Sequence, residues 1–371
     1  MQAPELDTEL PAGNIRLLGQ AGDSFTLAPD LRDTEGFWFY WKFRVRGAAG
    51  RRLTFRFEGG GDDAPACCVG ARGPAVSRDR GASWAWLSDT PDAPEDHFRF
   101  NFAGGDDEVW FSMCLPYGVE EWESFTAEYR LAGQIRSLCT TPGGTAVPLL
   151  ELDGSRGGPA VLLTARHHCC ETPANFVMEG FIRRWLDLAP GALWAIPFMD
   201  MEGVLAGDQG KNRKGADHNR DYGPGSRYAE VRALKALIRR EGAPRVAFDL
   251  HAPYIRYGIN ERVYFPGPED SGHAAALARF AERLEARARG LPFRAADNLP
   301  YGEGWNGPQN YAAGLSSSKW MQGQSGCRLA VTLEVPYANA AGRAVLPERA
   351  RTFGASMAEV LAEDPEFAGR R

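Results

Sequence analysis

The chain has 371 residues, of which 44% are hydrophobic and 24% are charged, and its 42 basic and 48 acidic side chains leave a net charge of −6. These values are typical of a globular protein and exclude a fibrous or wholly disordered chain, while the length favours two domains. The acidic balance argues against a nucleic-acid partner, because such binding needs a dense basic face.

The sequence gives no sign of membrane insertion or export. No run approaches the roughly 18 apolar residues of a membrane span, and the N-terminus lacks the basic and apolar segments of a signal peptide. The seven cysteines include two adjacent pairs and form neither a disulfide framework nor a Cys-rich zinc module. We therefore expect a cytoplasmic protein without a membrane partner, and its oligomeric state stays open.

The first third of the chain predicts an antiparallel β-sandwich. Alternating aromatic and polar residues mark strands at 37–46, 53–57 and 98–102, and 109–115 is a further strand. Gly-rich turns separate these strands, as in all-β domains. The many aromatic side chains are best explained as a core, and sugar binding is the alternative.

Strands and helices alternate after Pro116, which predicts an α/β domain with a mostly parallel sheet. We place the domain boundary at residue 118, so that 1–118 form the sandwich and 119–371 form the second domain. The predicted helices are 120–131, 175–188, 227–240, 271–289 and 348–363, and the predicted strands are 160–165, 195–198, 246–250, 263–265 and 329–335.

Candidate metal ligands follow two of the predicted strands. His168 and Glu171 form an H-x-x-E motif directly after strand 160–165, and His251 follows strand 246–250 at the end where open α/β sheets place their ligands. Each signal is weak alone, because a surface turn and a hydrogen-bonded core histidine are the alternatives. Together the three residues are the ligand set of a catalytic zinc site that keeps its fourth position for water.

Two further features carry polar chemistry. Glu334 lies inside the otherwise apolar strand 329–335, where a buried carboxylate is costly without a partner. It is either a structural residue held by hydrogen-bond donors or a general base beside a metal-activated water. The loop 207–222 is Gly-rich and basic, and it is either a solvated charge run or a carboxylate-binding loop, since arginine binds carboxylates through two parallel hydrogen bonds.

The order of these motifs resembles that of the M14 zinc carboxypeptidases, especially their cytosolic carboxypeptidase-like branch. The order is H-x-x-E, a Gly-rich loop ending in D-x-N-R, then D-L-H and finally T-L-E. That branch also carries an N-terminal β-sandwich, and residues 111–117 look like its closing strand. The resemblance implies a zinc carboxypeptidase-like mixed sheet flanked by helices, preceded by an N-terminal antiparallel β-sandwich domain.

The resemblance also implies the activity and a role for each motif residue. The activity is zinc-dependent hydrolysis of the C-terminal residue of a peptide or protein, with one Zn²⁺ per chain. The implied roles are zinc ligation for His168, Glu171 and His251, general-base catalysis for Glu334, and binding of the terminal carboxylate for Asn219 and Arg220.

This sequence departs from the family pattern at several positions. Either Arg213 or Lys211 takes the place of the family's carbonyl-polarising arginine, and we favour Arg213. His218 stands where an aliphatic residue is usual, and Tyr311 is the candidate for the family's tyrosine near the terminal carboxylate. The basic loop also favours acidic C-terminal residues such as glutamate.

Two other functions are compatible with the sequence. A zinc deacylase of the succinylglutamate desuccinylase/aspartoacylase type shares the ligand set and the N-R pair, but the sandwich and the T-L-E strand argue against it. A non-catalytic protein that binds a peptide or glycan is the other alternative. The presence of Glu334 argues against it, since a structural zinc site needs no base and usually has four protein ligands.

Overall fold

The computed structural model describes residues 3–59, 67–152, 160–188, 191–364 and 366–367. Within these residues, nine strands precede the first helix: β1 (Glu5–Asp7), β2 (Arg16–Ala21), β3 (Ser24–Ala28), β4 (Lys42–Arg46), β5 (Arg52–Phe57), β6 (Ala75–Ser77), β7 (Ala85–Trp86), β8 (His97–Asn101) and β9 (Glu108–Ser112).

The remainder of the described chain alternates between helices and strands. In chain order these are α1 (Val119–Glu128), β10 (Ile135–Thr140), β11 (Ala146–Leu152), β12 (Val161–Ala165), α2 (Pro173–Leu188), β13 (Leu193–Ile196), α3 (Met201–Ala206), α4 (Ala229–Glu241), β14 (Val246–His251), α5 (Ser271–Glu285), α6 (Ser317–Gln322), β15 (Leu329–Glu334), β16 (Asn339–Ala340), β17 (Arg343–Ala344) and α7 (Pro347–Ala362).

The N-terminal strands form the predicted sandwich. One sheet has the order β1-β4-β9-β6-β7 and the other has the order β2-β3-β5-β8. Aromatic rings fill the space between them, with Phe43 of β4 lying 5.5 Å from Phe55 of β5 and Phe98 of β8 lying 5.4 Å from Phe111 of β9. These rings form a core, as the sequence predicted.

Two details of the sandwich differ from the sequence-based prediction. Strands β3 and β5 pair in parallel, because the chain crosses to the other sheet through β4 before it returns, and a crossover restores the strand direction. The strand predicted at 37–46 begins only at Lys42. Gln209 explains the difference, since its side chain accepts a hydrogen bond from the Tyr40 N–H and donates one to the Tyr40 carbonyl.

The second part contains a mixed sheet of order β10-β11-β13-β12-β14-β15 flanked by helices. Strands β13, β12, β14 and β15 are parallel, while β10 and β11 add an antiparallel edge. The predicted strand at 263–265 was wrong, because only isolated bridges form there. Pro266 follows directly and has no N–H with which to extend a ladder.

The parallel strands bring the motif residues to one edge of the sheet. Thr164 of β12 pairs with Asp249 of β14, and His251, the last residue of β14, pairs with Glu334, the last residue of β15. The carboxyl ends of three neighbouring strands therefore lie together, which is where open α/β sheets bind their ligands. The sandwich ends at Ser112 and α1 begins at Val119, so a domain boundary at residue 118 remains our proposal.

Segment 37–41 joins the sandwich to the second part through buried aromatic contacts. The ring of Phe39 is fully buried and meets the edges of Tyr254 and Tyr337 at 5.0 Å and 5.6 Å. Phe37, two residues earlier, is only partly buried against the same core. Packing at Phe39 therefore contributes to the stability of the whole chain.

We expect Phe39→Ala to lower the free energy of unfolding by about 3–5 kcal/mol, because it empties a fully packed position. Phe37→Ala is the matched control, and its effect should be clearly smaller. Urea unfolding followed by tryptophan fluorescence measures both. Equal effects of the two substitutions would show that Phe39 does not join the two parts as described.

Candidate metal centre and active-site cavity

The loop between β12 and α2 is shaped by Arg166. This residue adopts a left-handed backbone conformation with φ of 61°. Its guanidinium donates to the carbonyl oxygens of Cys169 and Tyr117 and to the Oδ1 atom of Asn175. These contacts close the loop into a tight turn, and the side chains of His168 and Glu171 point from it toward the end of β14.

His168, Glu171 and His251 come together at this turn. The Nδ1 atoms of His168 and His251 lie 2.8 Å and 2.7 Å from the two carboxylate oxygens of Glu171. All three side chains are buried, and one ligand atom from each lies within 4.8 Å of the others. The structure thus brings together the three residues that the sequence suggested as metal ligands.

Each of these imidazoles is held from behind by a second carboxylate. The Nε2 atom of His168 lies 3.2 Å from Asp217 Oδ1, and the Nε2 atom of His251 lies 2.9 Å from Asp249 Oδ2. Metal-binding histidines commonly have such a carboxylate behind them, because it fixes the ring and leaves the opposite nitrogen for the metal. The D-x-N-R and D-L-H motifs contain both aspartates, although the sequence analysis gave them no role.

The local charge fits a divalent cation. Burial opposes ionisation of Glu171, but His168 and His251 outweigh it and hold the pKa of Glu171 below its ordinary value. Burial also opposes ionisation of Asp249, but the adjacent imidazoles of His167 and His251 outweigh it and hold the pKa of Asp249 well below its ordinary value. Several buried carboxylates thus converge on few imidazoles, and a metal ion would neutralise the excess negative charge.

A second group of potential ligands, formed by His167, Asp249 and His251, is also compact. Most of its atoms have other partners: Asp249 Oδ1 accepts a hydrogen bond from Thr164, Asp249 Oδ2 accepts one from Asn219, and His167 Nε2 lies 2.7 Å from the Tyr222 hydroxyl. His167 Nδ1 lies 2.7 Å from Asp249 Oδ1 but has no hydrogen bond among the described residues. We therefore interpret this group as the support of His251 and the group containing Glu171 as the metal site.

Glu334 lies beside the candidate ligands and has an unused oxygen. Its Oε2 atom is buried and has no hydrogen-bond partner among the described residues. Burial raises the pKa of Glu334 above its ordinary value, and the nearby imidazole of His251 lowers it in part. No arginine or backbone donor in the described part of the chain satisfies this atom, which argues against a purely structural role for Glu334.

A cavity of about 330 Å³ opens in front of these residues. His168, Glu171, His251 and Glu334 line one side of it. The other lining residues are Trp38, Lys211, Ala252, Pro253, Tyr254, Asn260, Tyr264, Trp305 and Asn310. Trp38 belongs to the sandwich part of the chain, and sequence patterns gave no indication that it, Tyr264 or Trp305 would lie here.

The two candidates for polarising the carbonyl occupy different places. Lys211 lines the cavity. Arg213 is instead ion-paired with Asp200 and Asp208, and its Nη1 atom lies 3.1 Å from Asp208 Oδ2. The structure therefore gives Arg213 partners within the protein and leaves Lys211 facing the cavity.

Asn219 is buried behind the candidate metal site. Its Nδ2 atom lies 3.0 Å from Asp249 Oδ2 and 2.9 Å from His251 Nε2, and its Oδ1 atom accepts a hydrogen bond from the Ser317 N–H. These contacts occupy the amide and make it a support of His251. The neighbouring His218 is also buried and stacks on Tyr228 at 3.4 Å, and burial lowers the pKa of His218 to about 4.

Arg220 is oriented by neutral acceptors. Its guanidinium donates to the carbonyl oxygens of Asn219 and Asn310 and to the side-chain oxygen of Asn310. Within the described ranges it has no carboxylate partner, and it lies over the ring of Tyr311 at 5.4 Å. An oriented guanidinium that keeps its charge uncompensated is suited to binding an anion.

Lys319 approaches the same tyrosine and was missed in the sequence. Its Nζ atom lies 4.9 Å from the centre of the Tyr311 ring, and it pairs with Glu269 at 2.6 Å. Glu269 is half exposed. A single lysine after three serines, at the start of α6, has no sequence signal, because only the fold brings residues 220, 311 and 319 together.

Comparison with known proteins points to carboxypeptidases. The sequence matches no family model. It is 25% identical over 227 residues to cytosolic carboxypeptidase 2 of Xenopus tropicalis, a match that covers 55% of this chain and 22% of that protein. It is 27% identical over 205 residues to cytosolic carboxypeptidase 3 of Bos taurus, covering 48% and 20%. The matched part is about a fifth of the length of these relatives.

Solved structures match over nearly the whole chain. A metallo-carboxypeptidase from Burkholderia cenocepacia superposes with a TM-score of 0.76 at 22% identity, covering 97% of this chain and 98% of its own. The chain has a metallo-carboxypeptidase fold. A metallo-carboxypeptidase from Pseudomonas aeruginosa, in complex with (2-guanidinoethylmercapto)succinic acid, has a TM-score of 0.74 at 22% identity and covers 96% and 98%. The resemblance read from the motifs is confirmed.

The adjacent residues His167 and His168 allow a matched test of the metal site. We expect His168→Gln to abolish tight metal binding, because it removes one of three ligands, and His167→Gln to retain the metal, because His167 only supports Asp249. Elemental analysis of the purified variants after dialysis gives the metal content per chain. Metal retained in His168→Gln and lost in His167→Gln would instead favour the group containing Asp249.

Proposed function

We propose that this protein is a zinc metallocarboxypeptidase that removes the C-terminal residue of a peptide or protein, with a preference for acidic ends. The observation that carries the proposal is the position of Glu334, whose unpartnered carboxylate shares a cavity with His168, Glu171 and His251. Two imidazoles and one carboxylate are the ligand set of a catalytic zinc site.

Glu334 is the proposed general base. His168, Glu171 and His251 would hold the zinc ion, which would supply Lewis-acid chemistry toward a water molecule and the scissile carbonyl. The unpartnered Oε2 atom of Glu334 accepts the proton of the attacking water and delivers it to the leaving amine. The apolar surroundings that raise the pKa of Glu334 suit a group that takes up and then releases a proton.

Lys211 is the proposed donor to the carbonyl oxygen as negative charge develops there. Its place in the cavity wall supports this role. Arg213, which the sequence analysis favoured, is engaged with Asp200 and Asp208. We propose that Arg213 stabilises the loop that carries Lys211.

Arg220 is the proposed anchor of the substrate's terminal carboxylate. Asn310 and the Asn219 carbonyl orient its guanidinium, and Asn310 itself lines the cavity. Binding of a chain end at this point restricts the reaction to the last peptide bond. Asn219 contributes indirectly by fixing His251, and Tyr311 supports the guanidinium with its ring face.

Lys319 supports the preference for acidic ends. Arg220 and Lys319 both lie over the Tyr311 ring, at 5.4 Å and 4.9 Å. A C-terminal glutamate or aspartate carries two carboxylates, one for each of these cations. The half-exposed Glu269 is the present partner of Lys319, and a substrate side chain can take its place.

The experiment that tests the proposal compares substrate classes. Peptides with free C-termini should lose residues one at a time from that end, as read by mass spectrometry. The same peptides with amidated C-termini should be cut up to about 10⁴-fold more slowly, because the guanidinium of Arg220 loses its partner. Rapid cleavage of N-acyl amino acids would support the deacylase alternative, and absence of any hydrolysis would support the binding-protein alternative.

The partners and the location follow from the proposed activity. A peptide or protein C-terminus is the proposed partner, and a cytoplasmic site of action is proposed from the sequence and from the names of the relatives. Among the helices in the described part of the chain, none is both long and apolar enough to cross a membrane.

Glu334→Gln should retain the fold and the zinc but lower kcat by about 10²–10⁴-fold, the usual effect of removing a general base. Glutamine keeps the size of the side chain and cannot accept the proton. Elemental analysis and steady-state kinetics on one peptide measure the two properties. Normal turnover in this variant would remove Glu334 from the mechanism.

Lys319→Glu should reverse the preference for the terminal residue. We expect kcat/KM for a peptide ending in glutamate to fall by about 10-fold or more, the equivalent of ~1.4 kcal/mol, and kcat/KM for a peptide ending in lysine to rise. Lys319→Met, which only removes the charge, is the control and should reduce discrimination without reversing it. An unchanged ratio in both variants would place the selectivity elsewhere.

A further inference from the structure

Lys42 is a buried cation that the proposed mechanism does not use. It is the first residue of β4 and is only 6% exposed. Its ammonium group makes neither an ion pair nor a hydrogen bond with any residue that the structure describes. Burial lowers the pKa of Lys42 below its ordinary value, and the charges of Glu121 and Glu120 offset part of that effect from a distance. A charge so largely withdrawn from water gains from a direct partner.

Two indole rings flank this ammonium. The Nζ atom of Lys42 lies 5.5 Å from the ring centre of Trp84 and 5.6 Å from that of Trp110. Both indoles are anchored, since Trp84 donates to the Gly81 carbonyl at 3.1 Å and Trp110 donates to Glu108 at 2.6 Å. Cation–π contacts hold the lysine in place, but they leave its hydrogen-bond donors unused.

The turn that carries Trp84 is fitted to Trp110. Gly81 has a φ of 91°, and a Cβ atom at this position would lie 2.9 Å from the Trp110 ring. Only glycine therefore allows the turn to close on the indole. The two rings are held with their centres 6.5 Å apart, so this part of the surface is preformed.

Lys42 faces a cavity of about 470 Å³ between the sandwich and the second part of the chain. Trp84 and Trp110 line the cavity with it, and Glu120 and Glu121 of α1 also belong to its lining. One oxygen of Glu121 accepts a hydrogen bond from the Gly118 N–H. The other oxygen makes no hydrogen bond with a described residue. Arg80 and Arg166 also belong to the lining, but Arg80 lies 3.8 Å from Glu108 and Arg166 donates to the carbonyl oxygens of Cys169 and Tyr117. The cavity thus offers one ammonium group without a partner, two carboxylates and flat aromatic walls.

We propose that this cavity binds a free α-amino acid. The carboxylate of such a ligand would pair with Lys42 and its ammonium group with Glu120, since Glu121 already accepts from the Gly118 N–H, so that the ligand bridges charges that do not touch each other. A ligand with both charges can pair with the lysine and with a glutamate at once, which neither a simple anion nor a simple cation can do. The volume accommodates an amino acid, and the indoles offer its side chain an apolar surface.

The proposal does not depend on the proposed peptidase activity, although that activity would release ligands of this class. The candidate metal ligands line a different cavity, which shares no lining residue with this one. Loss of amino-acid binding and loss of hydrolysis can therefore be measured separately.

The test begins with a thermal-shift screen of the zinc-loaded protein against the twenty common amino acids. The strongest binder is then titrated calorimetrically into the wild-type protein and into Arg220→Ala, which removes the proposed carboxylate anchor of the active site. We expect binding to persist in Arg220→Ala. The N-acetyl and amide derivatives of the same amino acid should bind much more weakly, since each lacks one of the two charges.

Lys42→Met should weaken the binding by at least about 30-fold, as expected for removal of one partner from a buried charge pair. Its rate of peptide hydrolysis should equal that of the wild-type protein. Lys214→Met, in which a surface lysine is lost, is the control and should bind normally. If Lys42→Met does not fold, Glu120→Gln at the exposed end of α1 provides the second test and should also weaken binding.

Two results would overturn the proposal. One is the absence of any binding by the wild-type protein in the screen. The other is unchanged affinity in the folded Lys42→Met variant, or in Glu120→Gln if that variant has to replace it. Hydrolysis without amino-acid binding would reject this site alone, and binding without hydrolysis would reject the proposed function alone.

Discussion

The carboxylate of Glu171 binds two imidazoles, that of His168 from the turn after β12 and that of His251 from the end of β14, and the rest of the site is arranged around that contact. Asp217 and Asp249 hold the opposite sides of the two rings, and Glu334 lies beside them. So much buried negative charge is unfavourable without a compensating cation. The same carboxylates orient the imidazole nitrogens of the two histidines. Glu334, which binds neither ring, remains available as a base beside the substrate.

The sandwich shapes the substrate loop through a few polar contacts. Asp33 accepts hydrogen bonds from the backbone N–H groups of Gln209 and Gly210, and Gln209 in turn binds the backbone of Tyr40 on both sides. Lys211 follows directly in the chain. The loop that supplies the cavity with its cation is thus attached to the N-terminal sheets, and Trp38 from the same segment forms part of the cavity wall.

Much of this arrangement could be predicted from the sequence, because each motif stands at the end of a recognisable strand. His168, Glu171, His251 and Glu334 were found this way, since buried parallel strands are apolar and a polar residue at their ends is conspicuous. The sandwich followed from the alternation of aromatic residues. Its parallel β3–β5 pair did not, because strand direction depends on the crossover and not on the side-chain pattern.

Roles within the loop were harder to predict, because they depend on partners that are distant in the chain. Arg213 is engaged by Asp200, and Asn219 by Asp249, and neither partner can be paired with them from one sequence. Lys319 lies about a hundred residues from Arg220 in the numbering, yet both contact Tyr311. Short-range patterns therefore identified the metal site better than the surfaces that recognise the substrate.

The coordination of the metal tests the central claim most directly. X-ray absorption at the zinc edge of the zinc-loaded protein should show two imidazole nitrogens and carboxylate or water oxygens at about 2.0–2.2 Å. It should show no sulfur, although Cys169 and Cys170 lie between His168 and Glu171 in the chain. A sulfur neighbour at about 2.3 Å, or a single imidazole, would contradict the proposed set of His168, Glu171 and His251.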